Sequence, residues 1–516
     1  MKLLKAMATI ASFTMLSRIA GMVRDMLTAS ILGAGPMADA FFVALKLPNL
    51  FRRIAAEGAF SISFIPLYSK TLEQDGEKEA AVLSGQLFSI MAIFLSVFTL
   101  IMMILMPWVI HIIAPGFQYG GERYVLAVPM TQISFPYLML VSVTALFGGM
   151  LNAHHKFAPF AAAPIIFNLT LIICVLGLTP LFPNAGYAMA FGITLSGIFQ
   201  LAMMIFFIRK YRILFSFQKP AITPKIKIFF QKMGPGILSA GVFQINLLVD
   251  MMIASLLPAG SISYLYYADR LNQLPLSIGG IAIGTALLPM LSRAISSGQH
   301  GEGNQLFNRA LEFCFFVALP AATALMIIPF PMVQTLFGHG QFSLADAQQT
   351  SYVLMGYGVG LPAYIASKVF MTAFWAHQDT VTPVKISILT AGTNIALCLL
   401  LIGLLGAAGI ALATGISGWV QVYLLNRKLK EQDALSFDDR LAVVFPKIAI
   451  CSCIMGIVLS FLMYALQPLF YQALPVKILA LVALIGGGAI TYALTIHVSG
   501  VLKFSDIQKY MKQSKG

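Results

Sequence analysis

Arginines and carboxylates recur at helical spacing inside two segments that are otherwise apolar enough to cross a bilayer. Arg18, Arg24 and Asp25 lie in the first; Asp39, Lys46, Arg52, Arg53 and Glu57 lie in the second. An ionised side chain near a bilayer centre costs about 2.5 kcal/mol or more, so it faces a wet cavity or a partner. The seven-residue step from Arg18 to Asp25 is nearly two helical turns and puts both on one face. Asp39, Lys46 and Arg53 repeat that step, with Glu57 a turn beyond, and further along the chain come Asp250, Asp269 and Arg270. The chemistry this suits is anion binding. A guanidinium offers a planar fork to two phosphate oxygens and stays charged when partly desolvated. Arg18, Arg24, Arg52 and Arg270 are therefore read as a cradle for a diphosphate. Asp25, Asp39, Lys46, Arg53, Glu57 and Asp269 are read as charge-balancing groups that exchange partners as the cavity opens. For any one charge a structural role is the alternative: Arg52 and Arg53 snorkelling to an interface, or Arg24 and Asp25 locked in a packing salt bridge.

The elements that must position these groups are membrane helices. The chain has 516 residues, 59% of them hydrophobic and 10% charged. Apolar runs recur from end to end, long enough to cross about 30 Å of hydrocarbon. About fourteen spans are predicted, near 7–32, 38–66, 80–113, 124–151, 158–180, 185–209, 225–257, 263–292, 304–329, 347–375, 381–404, 407–427, 442–467 and 475–499. The net charge of +14 would suggest nucleic acid in a soluble protein, but the lysines and arginines lie mostly between spans. Alternate connections are basic, including Lys2 and Lys5, Arg209 to Lys232, Arg427 to Lys430, and Lys503 to Lys515. The others are nearly free of charge, so both termini are expected in the cytoplasm. The basic-then-apolar opening resembles a signal peptide, yet its apolar pattern runs on to Gly33 and predicts a retained first helix.

The chain also contains a copy of its own beginning. Residues 25–35, DMLTASILGAG, match residues 250–260, DMMIASLLPAG, at seven of eleven positions. Downstream, Ala59, Pro66, Ser69 and Lys70 align with Ala282, Pro289, Ser292 and Arg293, and Ala153-His154 aligns with Ala376-His377. Spans 1–6 thus recur as spans 7–12, and an even number of spans per unit makes the repeats parallel. The predicted fold is all-α and polytopic: two six-helix lobes, 1–220 and 221–435, around a central cavity, with a further helix pair in 436–516. The GAGP and PAG turns, at equivalent ends of spans 1 and 7, are the expected gate positions.

Enzyme classes find no support. The seven histidines are scattered without HExxH, and no GxxxxGK[ST] phosphate loop is present. Cys174, Cys314, Cys398, Cys451 and Cys453 all fall in predicted spans and are read as small buried side chains rather than disulfide or metal sites. Segments such as KIKIFFQK could lie along an anionic leaflet, or serve only as an orienting loop.

The run SRIAGMVRDMLTASILGAGPMADAFFVALKLPNLFRRIAAEGAFSISFIP closely resembles the opening of the MurJ (MviN) family of bacterial lipid II flippases. That family lies within the multidrug/oligosaccharidyl-lipid/polysaccharide exporter superfamily. MGPGILS, SYLYYADRLNQLP and TPVKI extend the likeness along the chain. The resemblance implies two six-helix lobes around a cationic cavity in the inner membrane. It implies a groove, formed partly by spans 13 and 14, for an undecaprenyl tail. The implied substrate is undecaprenyl-diphospho-MurNAc-pentapeptide-GlcNAc, moved from the cytoplasmic to the periplasmic leaflet for peptidoglycan synthesis by one chain acting alone. Arg18, Arg24, Asp39, Arg52, Glu57 and Arg270 stand at positions matching the family's cavity residues. Some members hold sodium, and Asp250, Asn394 and Thr414 stand where such a site would be. Cys398, one turn after Asn394, offers a thiol where a hard cation prefers oxygen. No cofactor is expected; sodium or the membrane potential is the expected energy source. An exporter of another lipid-linked oligosaccharide or amphipathic drug is the alternative, and a non-transporting scaffold for cell-wall enzymes a more distant one.

Overall fold

The computed structural model describes residues 2–53, 60–432 and 435–501. The first six-span stretch contributes α1 (Lys2–Leu32), α2 (Pro36–Phe51), α3 (Ser61–Gln74), α4 (Gly76–Ile104), α5 (Met106–Ile113), α6 (Glu122–Ser134), α7 (Tyr137–Ala153), α8 (Ala158–Ile173) and α9 (Ala185–Lys210). There follow α10 (Pro224–Ser255), α11 (Ser261–Ser296), α12 (His300–Ile327), α13 (Pro329–Leu336), α14 (Leu344–Ala376), α15 (Val381–Leu405) and α16 (Ala407–Glu431). The chain ends with α17 (Asp439–Leu466) and α18 (Leu474–Val498). No strand occurs among the described residues.

Ten helices among the described residues are long and apolar enough to cross a membrane. The helices that carry the embedded charges, α1, α2, α10 and α11, stand outside that set. Burial is arranged inside out. On α15 the exposed side chains include Ile388, Leu389, Leu399, Leu400 and Leu404, while Thr390, Asn394 and Cys398 face inward. Such a helix dissolves its large apolar side chains in lipid and keeps polar groups for protein partners.

Several predicted spans are interrupted, and proline marks each break. The span expected over 80–113 divides at Leu105, two residues before Pro107, and that over 124–151 divides at Phe135-Pro136. The span over 158–180 widens at Cys174–Leu178 and ends in a tight turn containing Pro180. The missing N–H and the ring of proline break the hydrogen-bond ladder where the apolar pattern alone would continue it.

The chain divides into two units. One comprises Met1–Ser263 and Gly340–Phe342; the other comprises Tyr264–His339 and Ser343–Gly516. In the first, α2 packs on α6 and α9, α1 on α8, and α3 on α4 and α7, and α10 joins through α3 and α5. Its core includes Phe60, Phe64, Tyr68, Leu146 and Phe229. In the second, α14 is the central helix, lying against α12 and α16. Gly356 and Gly360 of α14 meet Ala411 and Gly415 of α16, a small-residue seam that lets the backbones approach closely. The C-terminal pair α17 and α18 packs through Ile448, Met455, Leu459 and Leu484 against Ile328. Tyr492 secures it by donating to the Phe316 carbonyl at 2.8 Å.

The internal repeat is visible in the backbone. After Ala153, the Lys156 amide donates to Leu151 O with His155 at φ 58°; after Ala376, the Asp379 amide donates to Phe374 O with Gln378 at φ 62°. Both are Schellman turns, built at equivalent positions on left-handed residues that are not glycine.

Candidate functional site

Arg18 is exposed on α1, whereas Arg24 is 6% and Asp25 2% exposed. The Arg24 Nε and Nη2 donate to Asp25 Oδ1 at 3.1 and 2.6 Å, and Nη1 donates to Asn168 Oδ1 at 2.9 Å. Asn168 in turn donates to the Ser17 carbonyl at 3.0 Å, and the guanidinium lies 5.7 Å from the Phe167 ring centroid. The fork expected to hold phosphate is thus engaged with the protein, and it ties α1 to α8. A charge pair this deep in an apolar unit is stable only because its donors and acceptors are matched.

Asp39 is fully buried in the first turn of α2, which starts with Pro36 after the GAGP turn. Its carboxylate accepts from the Gly260 amide at 2.8 Å, the Ser263 amide at 2.9 Å and the Ser263 hydroxyl at 2.7 Å. These amides belong to the PAG turn and the start of α11, where a helix leaves its first N–H groups without internal partners. Asp39 supplies the missing acceptor from elsewhere in the chain, and its charge suits the positive end of the helix dipole. Arg123 stands 3.9 Å from Asp39, donates to Leu257 O and Gly116 O, and covers the Phe117 ring at 4.7 Å. Nearby, the Gln341 amide donates to Ser30 O at 2.8 Å. Gly340, at φ 61°, comes so close that a Cβ would lie 2.2 Å from that same carbonyl, so no other residue fits.

Burial falls along the seven-residue series that begins on α2 and ends just beyond it. Asp39 is sealed, Lys46 is half-buried and Arg53 is exposed. Arg52 is half-buried, its Nε donating to Asn49 Oδ1 at 3.0 Å. Glu57 lies outside the described residues.

In the second unit Asp269 and Arg270 are half-buried on α11. Arg270 covers the Tyr266 ring one turn earlier, at 4.6 Å, which orients the guanidinium while keeping it charged. Asp269 accepts from the Gln273 amide. Asn394 is buried with its Oδ1 3.7 Å from the Cys398 thiol, and the Thr414 hydroxyl donates to Ile410 O. Asp250 is half-buried on α10. No group of three or more His, Cys, Asp or Glu side chains among the described residues is placed to hold a metal. None of the five cysteines forms a disulfide; four are buried as read, but Cys453 is exposed, because it points away from Cys451 two residues earlier on α17.

Asn168, Arg123 and Ser263 escaped the sequence reading as site residues, whereas Gly260 lies in the PAG turn expected at the gate. An asparagine within PIIFNLTL and an arginine beside the GGER turn were visible there, but nothing in either pattern names a partner. The arrangement can hold one end of the first unit shut and present cations toward the other.

A family model described as lipid II flippase MurJ matches residues 28–481. The probable lipid II flippase MurJ of Rhizobium meliloti is 38% identical over 460 residues, covering 88% of this chain and 86% of its own. A solved lipid II flippase MurJ in an inward closed conformation superposes with TM-score 0.78 at 27% identity, over 95% of this chain and 98% of the other. An inward-facing multidrug resistance MATE family transporter shares the fold, with TM-score 0.70 at 13% identity over 83% and 98% of the two chains.

Proposed function

The chain belongs to the MurJ family of lipid II flippases, and from that membership we infer that it moves lipid II from the cytoplasmic to the periplasmic leaflet by alternating access. It is a multi-span membrane transporter serving peptidoglycan synthesis, not an enzyme. We place it in the inner membrane with both termini in the cytoplasm, acting as a single chain of two lobes, 1–220 and 221–435, with the helix pair of 436–516.

The observation that supports the site assignment is the fall in burial from Asp39 and Lys46 on α2 to Arg53 just beyond its end. We read it as a cavity closed at the GAGP end and wet at the other. In our reading Arg18 and Arg52 of the first unit, and Arg270 of the second, are each available to a diphosphate oxygen. Arg24 holds α1 in place, because three of its five N–H donors already serve Asp25 and Asn168. Asp39 latches the closed gate, while Lys46, Arg53, Glu57 and Asp269 balance charge as the substrate enters and leaves. The undecaprenyl tail stays in lipid, against α17 and α18. These helices line an apolar pocket of about 360 Å³ through Ile450, Ile454, Leu494 and Val498, with Lys447 among the lining residues.

The test is depletion of the native flippase, complementation, and a leaflet-accessibility assay for lipid II. Arg18→Ala and Arg270→Ala, at wild-type abundance, are each predicted to lower transport by about tenfold or more, since a hydrogen bond to a charged group contributes about 1.5–3 kcal/mol. Full transport by both variants would remove the cradle, and failure of the wild type would remove the flippase reading itself.

For coupling, we propose that sodium or the membrane potential drives the cycle. Dissipating the potential is predicted to stop lipid II appearing outside, and replacing sodium by potassium to slow it. Transport indifferent to both treatments overturns the proposal.

A further inference from the structure

The segment between α9 and α10 is pinned along the side of α4. The Ser89 hydroxyl donates to the Gln218 carbonyl, and Thr223 Oγ1 lies 3.4 Å from Gln86 Oε1. Gly85 permits this: a Cβ there would sit 1.8 Å from Ser216 O. Phe215 and Phe217 meet Phe88 edge-on at 5.6 and 5.5 Å. Lys225 closes the far end by pairing with Asp75 at 2.8 Å, and Ile226 and Phe229 then enter the core as α10 begins.

What this strap turns outward is unusual in kind. Phe217 is 76% and Ile222 84% exposed, and Ile228 and Phe230 are exposed beside them. Lys219, Lys227 and Lys232 are exposed in the same stretch, and residues 209–232 contain no acidic residue at all. Its depth is marked by its neighbours. It starts where α9 ends at Lys210, and it crosses α4 at Gly85–Ser89, about one turn before that helix begins to expose large apolar side chains at Ile93 and Phe94. That is the level of lipid headgroups, where aromatic rings settle and lysines meet phosphates.

We propose that residues 211–232, the connector together with the first turns of α10, form a surface strap that recognises anionic phospholipid. Phe217 and Ile222 enter the interface, and Lys219, Lys227 and Lys232 contact the headgroup phosphates. Because the strap runs without a break into α10, leaflet charge acts directly on the start of the second repeat. This goes beyond the flippase reading and does not depend on which side of the membrane the strap faces.

The test uses the full chain carrying Phe217→Trp, reconstituted in phosphatidylcholine bilayers containing phosphatidylglycerol. Bromine is placed on the acyl chains of one lipid or the other, and the unsubstituted protein supplies the tryptophan background. Brominated phosphatidylglycerol should quench the new tryptophan about twofold more than brominated phosphatidylcholine at equal mole fraction, because basic residues near a surface enrich anionic lipid. Reversing Lys219, Lys227 and Lys232 to glutamate should erase the difference. Equal quenching by the two lipids in the Phe217→Trp protein overturns the headgroup recognition. Absence of quenching by either overturns the strap's membrane position and turns the surface toward an aqueous, acidic protein partner.

Discussion

Asp39→Ala is expected to abolish lipid II transport while leaving insertion of the protein intact. The substitution removes the acceptor of three hydrogen bonds in a site with no exposure. The Gly260 and Ser263 donors would lose that acceptor at the start of α11, and Arg123 would lose its neighbouring carboxylate. Each abandoned buried donor costs about 1–3 kcal/mol, so the closed arrangement should weaken by about 3 kcal/mol or more. That is a shift of roughly a hundredfold between closed and open gate populations. A cysteine replacing Ile262, which is 1% exposed between the two latch residues, reports the change. Its labelling by a membrane-impermeant thiol reagent from outside should rise steeply with Asp39→Ala and modestly with Ser263→Ala, which removes only the hydroxyl. Labelling that stays at the parent level in both variants would show that the carboxylate does not hold the gate.

Arg24→Ala should reduce the amount of folded protein in the membrane, not merely its transport. It withdraws the guanidinium from Asp25 and from Asn168, leaving a carboxylate that is 2% exposed without this partner. Breaking one side of a buried ion pair costs about 3–5 kcal/mol. Asp25→Ala in the same chain should recover a substantial part of the loss, because the double variant no longer buries an unmatched charge. The contrast with Arg18→Ala is the informative one. Arg18 is exposed, so its loss should lower transport at normal thermal stability in detergent, whereas Arg24→Ala lowers both. Equal stability of the two single variants would refute the division of labour drawn between these arginines.

The residues of interest were legible as residues. Charges in apolar segments are costly enough to announce themselves, and Arg18, Asp39, Lys46 and Arg270 all stand out on that ground. Their assignments were less legible. Arg24 and Arg52 look alike in the sequence, each an arginine beside another charge in an apolar span. The fold gives Arg24 an asparagine 144 residues away and Arg52 an asparagine three residues away. Chain breaks were similarly half visible: the prolines at 107 and 136 were there to read, but the apolar pattern around them favoured continuous helices.

What the sequence determined alone was everything that depends on local chemistry and composition. Helices follow because a backbone in hydrocarbon must satisfy its own N–H and C=O groups within the segment. The recurrence of apolar spans, the repeat and the excess of embedded cations follow from counting. Tertiary structure alone decided which charges are spent inside the protein and which remain presented. Asp39 finds its donors 221 and 224 residues away, at a turn whose sequence carries no mark of needing an acceptor. A lone helix start displays its unpaired N–H groups equally to water, to lipid headgroups or to a distant carboxylate, and only packing chooses among them.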